Sequence, residues 1–248
     1  MCSHRRMAEA TDACPSGDNA GEQSADDIRE KIKNLLKKYD VGSRYAGIPF
    51  PRASILLPLL IRQGKPYLLL TVRSLELKTM PGDVCFPGGR QDPSDEDDIQ
   101  TALRETQEEI GLCPEQVQII GRLTPHMAKS PNCLVYPVVG IVDDTFQPTP
   151  NPSEVADIFL VPLEFFISSE HYTTREVNVP PLGLVVVHQF TYMDPDTEKT
   201  FTIWGLTAYF ALMLSIIVLE KRPSFEPELD LEGGLNGRIR FLINPSKL

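Results

Sequence analysis

The sequence predicts an α/β domain in which a mixed β-sheet carries packed helices. Three observations point there. Short apolar runs bounded by Gly, Pro and Asn recur through the middle of the chain, the mark of buried strands. Helical periodicity is confined to separate segments near residues 24–40, 94–111 and 207–219. Runs and helices mix without the strand–helix alternation of an all-parallel sheet, so a mixed sheet with helices on it follows. With 248 residues and 42% hydrophobic content, the chain has enough apolar surface for one sizeable core.

Residues 1–23 are rich in Ser, Gly, Ala and acids and are expected to be disordered. Ser24 and Asp27 then form a capping-box pattern, with Asp in place of the usual Glu. Ile28, Ile32, Leu35, Leu36 and Tyr39 follow at helical spacing, and the helix should end near Asp40. Ala53–Ile61 and Tyr67–Arg73 read as a strand hairpin joined by the turn residues of "RQGKP". "VCFPGG" ends in a Pro-Gly-Gly break. An acidic helix comes next, then "VQIIGRL", "CLVYPVVGIV" and "FLVPLEFF" as strand candidates. "LVVVHQFTYM" and "KTFTIWG" form a second hairpin, and an apolar helix runs from Thr207 to Leu219. The expected organisation is one domain over 24–222 and a tail over 223–248.

A formal net charge of -10 argues against a general nucleic-acid binder, which carries a basic patch. An anionic small molecule stays open, because a local cation reverses the field at one site. The five cysteines have no zinc-like or CxxC spacing, which fits a reducing compartment. The N-terminus has no apolar core of a secretory signal. The longest apolar stretch, Gly205–Glu220, has about 15 residues, short of the roughly 20 of a membrane span.

The acidic helix is the chemical signal. In "TALRETQEEIGL", Glu105, Glu108 and Glu109 stand at i, i+3 and i+4, so three carboxylates share one side of a helix. Ser94 and Asp97 give a capping pattern at its start, and Gly111 sits where a left-handed cap ends a helix. Ile99, Ala102, Leu103, Thr106 and Ile110 form the apolar stripe. A solvated acidic face normally places Lys or Arg four residues after each Glu. Here those positions are Glu109, Leu112 and Cys113. Clustered carboxylates after a glycine turn are what a hard, oxygen-seeking cation requires.

"GGRQDPSDEDDIQTALRETQEEIGL" resembles the Nudix box: Gly, a spaced acid, then R-E-U-x-E-E-x-G-U, with U apolar. Arg104, Glu105, Glu108, Glu109, Gly111 and Leu112 match in register. Thr106 departs from an apolar position, and the spacing from Gly89 to Arg104 is one residue long, so either Asp95 or Glu96 fills the early acidic position. Upstream, "LLTVRSLELKTMPGDVCFPGG" is similar to the segment preceding the box in the coenzyme A diphosphatases of this superfamily. Arg73, Gly82, Val84, Phe86, Pro87, Gly88 and Gly89 match; Lys78 stands where Arg is usual. "NPSEVADIFLVPL" resembles a further segment of the same enzymes.

The resemblance implies the Nudix fold, a mixed sheet sandwiched between helices, and hydrolysis of the diphosphate of coenzyme A or acyl-CoA with Mg²⁺ or Mn²⁺. It implies Glu105 and Glu109 as metal ligands, Glu108 as a third, and Arg104 as the group orienting the carboxylates. Arg73 and Lys78 are expected to meet phosphates, and Gly88 and Gly89 to admit close backbone approach. The general base is a box glutamate or Glu154 from a loop. His126, in "TPHMAKSPN", is expected to be a surface histidine and Phe86 a core residue. Diphosphatases for NADH or ADP-ribose, and a silent CoA-binding module, are the alternatives. The last residues, Ser246, Lys247 and Leu248, form a peroxisomal address read by an import receptor.

Overall fold

The computed structural model describes residues 24–128, 133–179 and 183–227. The segment expected to be disordered, 1–23, and the Ser-Lys-Leu terminus lie outside the described residues. Helix α1 (Ala25–Leu36) begins at a complete capping box: Ser24 accepts from the Asp27 backbone while Asp27 reaches back to Ser24. A short 3-10 turn carries it to Tyr39. Strands β1 (Arg52–Arg62) and β2 (Lys65–Arg73) form the expected hairpin. Then come β3 (Val84–Cys85), β4 (Gly88–Arg90), helix α2 (Asp98–Ile110), β5 (Val117–Arg122), β6 (His126–Ala128), β7 (Cys133–Val142) and β8 (Val155–Pro162). Strands β9 (Tyr172–Val179), β10 (Gly183–Met193) and β11 (Thr200–Trp204) precede helix α3 (Gly205–Leu219). Strand β9 has no counterpart in the sequence reading.

The main sheet is mixed. Its order is β3-β2-β1-β7-β5, with β4 added to β1, β6 to β7 and β8 to β2. β1 and β7 are parallel, and the other pairs are antiparallel. Alternation along the strands sends side chains to two cores. On β1, Leu57, Leu59 and Ile61 join α1 and α3 on one face. Leu56 and Leu60 join Ala102 and Ile110 of α2 on the other. β2 and β8 divide the same way, Leu68 and Phe159 to the first core and Leu69 and Val155 to the second. The sheet is therefore sandwiched between helices, as the sequence implied. The separate sheet β11-β10-β9 buries Phe190, Tyr192, Phe201 and Ile203 in the α3-side core.

Among the described residues no helix is long and apolar enough to cross a membrane. Two expectations are corrected. The cap of α2 is Asp97, whose side chain accepts from the Gln100 N–H; Ser94 bonds Asp92 instead, inside the preceding loop. His126 is not on a surface loop. It lies on β6, its ring 4.3 Å from the Tyr209 ring at a tilted angle, with Nε2 buried, and that burial holds its pKa down. The apolar surface of α3 covers this strand, a tertiary neighbour that local sequence does not reveal.

Candidate active site

Helix α2 is docked by its first turn. Buried Asp98 accepts from Arg52 of β1 at 2.6 Å, and Arg122 of β5 bonds Asp97. These acids also lie at the positive end of the helix dipole, where negative charge is favourable. At the other end Gly111 takes φ 73°, the left-handed cap expected from sequence. Thr106 fits an apolar stripe because its hydroxyl donates to the Ala102 carbonyl at 2.6 Å.

With its ends fixed, α2 sets its glutamates against β4. Gly88 has φ 146°, and a Cβ there would lie 2.6 Å from the Ile55 Cα. Only glycine allows β4 this close to β1. The Gly88 N–H then donates to Glu109 Oε2 at 3.1 Å. Gly89 leaves room for a side chain rather than for backbone: a Cβ there would fall 2.5 Å from the Glu105 Cδ and push that carboxylate aside. The two glycines thus bring backbone against two carboxylates.

The three glutamates do not form one equivalent face. Glu109 is 5% exposed. Burial pushes its carboxyl up to about 8; the Gly88 N–H opposes that rise and Glu105 adds to it. Glu105 is half-buried and also raised, first by burial, with Arg104 opposing. Glu108 is exposed and meets Arg104 at 3.4 Å. Arg104 also grips Asp95 with a two-pronged bond, Nε to Oδ1 and Nη2 to Oδ2, both 2.9 Å. The same guanidinium lies 3.0 Å from Glu105 and donates to the Arg90 carbonyl. Asp95 is accordingly held down at about 2, above all by Arg104. Of the two acids left open by the long spacing, Asp95 is the one Arg104 meets; Glu96 is exposed and its backbone N–H bonds Gln100.

Two more segments reach this place. The Asn151 N–H donates to the Glu109 carbonyl at 2.8 Å, tying the loop before β8 to the end of α2. That loop carries Glu154, whose charge raises both Glu105 and Glu109. Ser74 N–H bonds the Glu154 carbonyl, and Arg73 Nε bonds the Thr79 carbonyl. Arg73 in turn lowers Glu109, so the end of β2 faces the box. Lys78 is exposed on the following loop, with no hydrogen bond or ion pair among the described residues. Phe86 is 3% exposed, in the core as expected. Sequence reasoning missed Cys85, whose thiol contacts Thr71 and is pushed up to about 11 by burial. Its proximity to Glu109 depends on β2–β3 pairing and has no local signature.

The structure thus brings Arg73, Gly88, Gly89, Arg104, Glu105, Glu109 and Glu154 together and leaves Glu108 and Lys78 at the rim. The donors are all oxygen, the chemistry of a hard divalent cation. A carboxylate as buried as Glu109, beside a second one and held by one N–H, is costly without a counter-ion. Among the described residues no three His, Cys, Asp or Glu side chains enclose a metal ion as they stand. Glu105 is turned toward Arg104 and shares its charge with that guanidinium.

The NUDIX domain family matches residues 50–178. The chain is 44% identical over 202 residues to the peroxisomal coenzyme A diphosphatase of Mus musculus, covering 82% of this chain and 85% of that protein. It is 38% identical over 178 residues to the mitochondrial Nudix hydrolase 15 of Arabidopsis thaliana, 70% of this chain and 61% of that one. It is 45% identical over 158 residues to the uncharacterized Nudix hydrolase NudL of Photorhabdus laumondii, 63% of this chain and 79% of that one. With the box helix, its glycine turn and these matches over most of its length, the chain belongs to the Nudix hydrolase family.

Proposed function

We propose that this chain hydrolyses the diphosphate of coenzyme A and its acyl derivatives, releasing 3′,5′-ADP and 4′-phosphopantetheine or its acylated form. The observation that carries this reading is the meeting of two segments at one place: Gly88, from the stretch before the box, donates its N–H to Glu109 of the box at 3.1 Å, and the charge of Arg73 from the same stretch lowers that carboxyl. The mouse relative, a coenzyme A diphosphatase by name, supports the same substrate.

Nudix hydrolases need divalent metal ions. In this chain Glu105 and Glu109 would hold Mg²⁺ or Mn²⁺, with Glu108 as a further ligand from the rim. A divalent ion supplies charge neutralisation at the diphosphate and acidifies bound water. The remaining work falls to the protein. The Gly88 N–H fixes one oxygen of Glu109. Arg104 fixes Glu105 and is itself aligned by Asp95, so the ligand geometry is set before substrate arrives. Arg73 and Lys78 supply positive charge to the phosphates, Arg as a fork and Lys as a point charge. Glu154, on a loop tied to α2, is a candidate to accept the proton of the attacking water; a box glutamate is the other.

The test is a panel of CoA, acetyl-CoA, ADP-ribose, NADH and dinucleoside polyphosphates with Mg²⁺ or Mn²⁺. Preferred cleavage of ADP-ribose or NADH over every CoA species refutes the proposal. Tight CoA binding by calorimetry with no turnover under any metal would make the chain a binding module instead. Ser246-Lys247-Leu248 supports a peroxisomal location through the import receptor.

A further inference from the structure

A second cavity opens on the opposite face of β2 from Glu109. Its volume is about 480 Å³, within the range of small-molecule pockets. One wall is the Gly82–Val84 turn and the other is the second sheet, with Arg175 of β9 and Thr202 and Trp204 of β11. The turn is bonded to the active-site strand: Arg73 N–H donates to the Asp83 carbonyl at 2.9 Å, and Gly82 N–H to the Arg73 carbonyl at 3.1 Å. Val72 lines the cavity and packs on the α3-side core, whereas Leu69, an odd number of residues away, packs against α2 on the face of Glu109. Adjacent residues of a strand point to opposite faces. The cavity and the catalytic carboxylates are therefore separated by the end of one strand. A ligand with two arms reaches both by passing over it.

The cavity wall has a specific chemistry. The Arg175 guanidinium carbon lies 4.8 Å from the centre of the Trp204 ring. Among the described residues Arg175 has no carboxylate within ion-pair distance, and it is exposed. The indole is half-buried at the start of α3 and anchored by β10–β11 pairing, Gln189 to Trp204. A planar cation lying on a planar indole stacks a heteroaromatic ring, and the edge of the guanidinium still offers donors to a phosphate. Asp83 places one carboxylate on the opposite wall, an acceptor suited to an exocyclic amine. Of this wall, Arg175 lies within the matched family segment, 50–178, and Thr200–Trp204 lie beyond it.

We infer that this cavity holds the phosphorylated purine end of the substrate, with the base stacked on the Arg175–Trp204 pair and the 3′-phosphate bonded by Arg175. The inference rests on the coenzyme A reading above and extends it: the pantetheine arm offers neither a ring nor, beyond the diphosphate, an anion. The diphosphate then crosses the end of β2 to the box, and the 3′-phosphate becomes a specificity handle remote from the scissile bond.

The experiment compares wild type with Arg175→Ala, Arg175→Lys and Trp204→Leu on CoA and on dephospho-CoA, which lacks the 3′-phosphate. Arg175→Ala should lower kcat/KM for CoA by roughly 10- to 100-fold, mainly through KM, the scale of a charged hydrogen bond. It should lower dephospho-CoA by severalfold at most, through the guanidinium's share of the stack alone. Arg175→Lys should restore part of the loss, since charge returns without the stack. Trp204→Leu should weaken both substrates. Equal loss on both substrates with Arg175→Ala, or no loss on either, overturns the inference. Calorimetry with 3′,5′-ADP and 5′-AMP on metal-free protein keeps the two readings apart. Wild type that prefers 3′,5′-ADP, with the preference lost in Arg175→Ala, supports this cavity even where CoA is not cleaved. Wild type that cleaves CoA but shows no such preference refutes the cavity assignment and leaves the activity standing.

Discussion

Glu109→Gln separates charge from shape at the centre of the site. In the metal-free protein burial raises the Glu109 carboxyl from 4.5 to about 8. The folded pKa lies above the unfolded one, so the native state is favoured fully below pH 4.5. That advantage is lost as pH rises through 8. Between pH 5 and pH 8 the loss is about 3.5 kcal/mol, at 1.36 kcal/mol per unit. Glutamine does not titrate. Its oxygen retains the Gly88 bond, but its amide adds N–H donors whose burial costs roughly 1–3 kcal/mol at every pH. We predict that in chelator the melting temperature of the variant relative to wild type rises from pH 5 to pH 8, by on the order of 10 °C. Saturating Mg²⁺ should stabilise wild type, by about 2.7 kcal/mol at a hundredfold excess over Kd, and leave the variant unmoved. Turnover of the variant should vanish. The assay is a thermal melt at both pH values with chelator and with Mg²⁺. A melting difference that stays constant across pH 5–8 in chelator refutes the electrostatic reasoning. Near-normal activity of the variant at limiting Mg²⁺ refutes the ligand role.

Four further outcomes are expected. Gly88→Ala forces a side chain into φ 146° and against the Ile55 backbone, and should cost more than about 2 kcal/mol in denaturant melts. Arg104→Lys keeps the charge but loses the fork to Asp95, and should lower kcat roughly 10- to 100-fold with little change in melting temperature. Asp95 contributes stability above pH 3.8 that is lost as pH falls through about 2; with solvent screening this is on the order of 1 kcal/mol, measured as the acid-denaturation difference between wild type and Asp95→Asn. Removing Ser246–Leu248 should leave activity intact and turn a punctate fluorescent signal, carried by a tag ahead of residue 1, into a diffuse one.

The parts of the fold legible in the sequence are those encoded locally. The capping box at Ser24, the β1–β2 hairpin and the Gly111 cap each rest on a few adjacent residues, and each is present. The box helix was readable because its departure from normal charge pairing is itself local. What depended on distant partners was not readable. Asp97 displaces Ser94 as the cap because Arg122 and Arg52 pull the acidic turn onto the sheet. His126 is buried because α3, some 80 residues later, lies over β6. Likewise, three glutamates that look alike in sequence differ in exposure, since only β4 decides which of them is covered. The choice of Asp95 over Glu96 needed the loop to be folded around Arg104.

The parallel pairing of β1 with β7, from Arg52 opposite Leu134 to Leu59 opposite Ile141, has a consequence for how the chain is made. β1 forms its hairpin with β2 as soon as both leave the ribosome, yet its other edge waits for a strand about 80 residues away. Until then Leu56 and Leu57, both fully buried in the finished protein, lack their partners Val138 and Val139. Long-range pairing of this kind is slow and leaves apolar edges open to other chains. The intervening stretch contains both glycines of β4 and the whole of α2, so the box helix and its glycine turn are made before β7 completes the sheet they pack on. Synthesis thus runs through a stage in which one edge of β1 is open and the sheet under the box helix is incomplete.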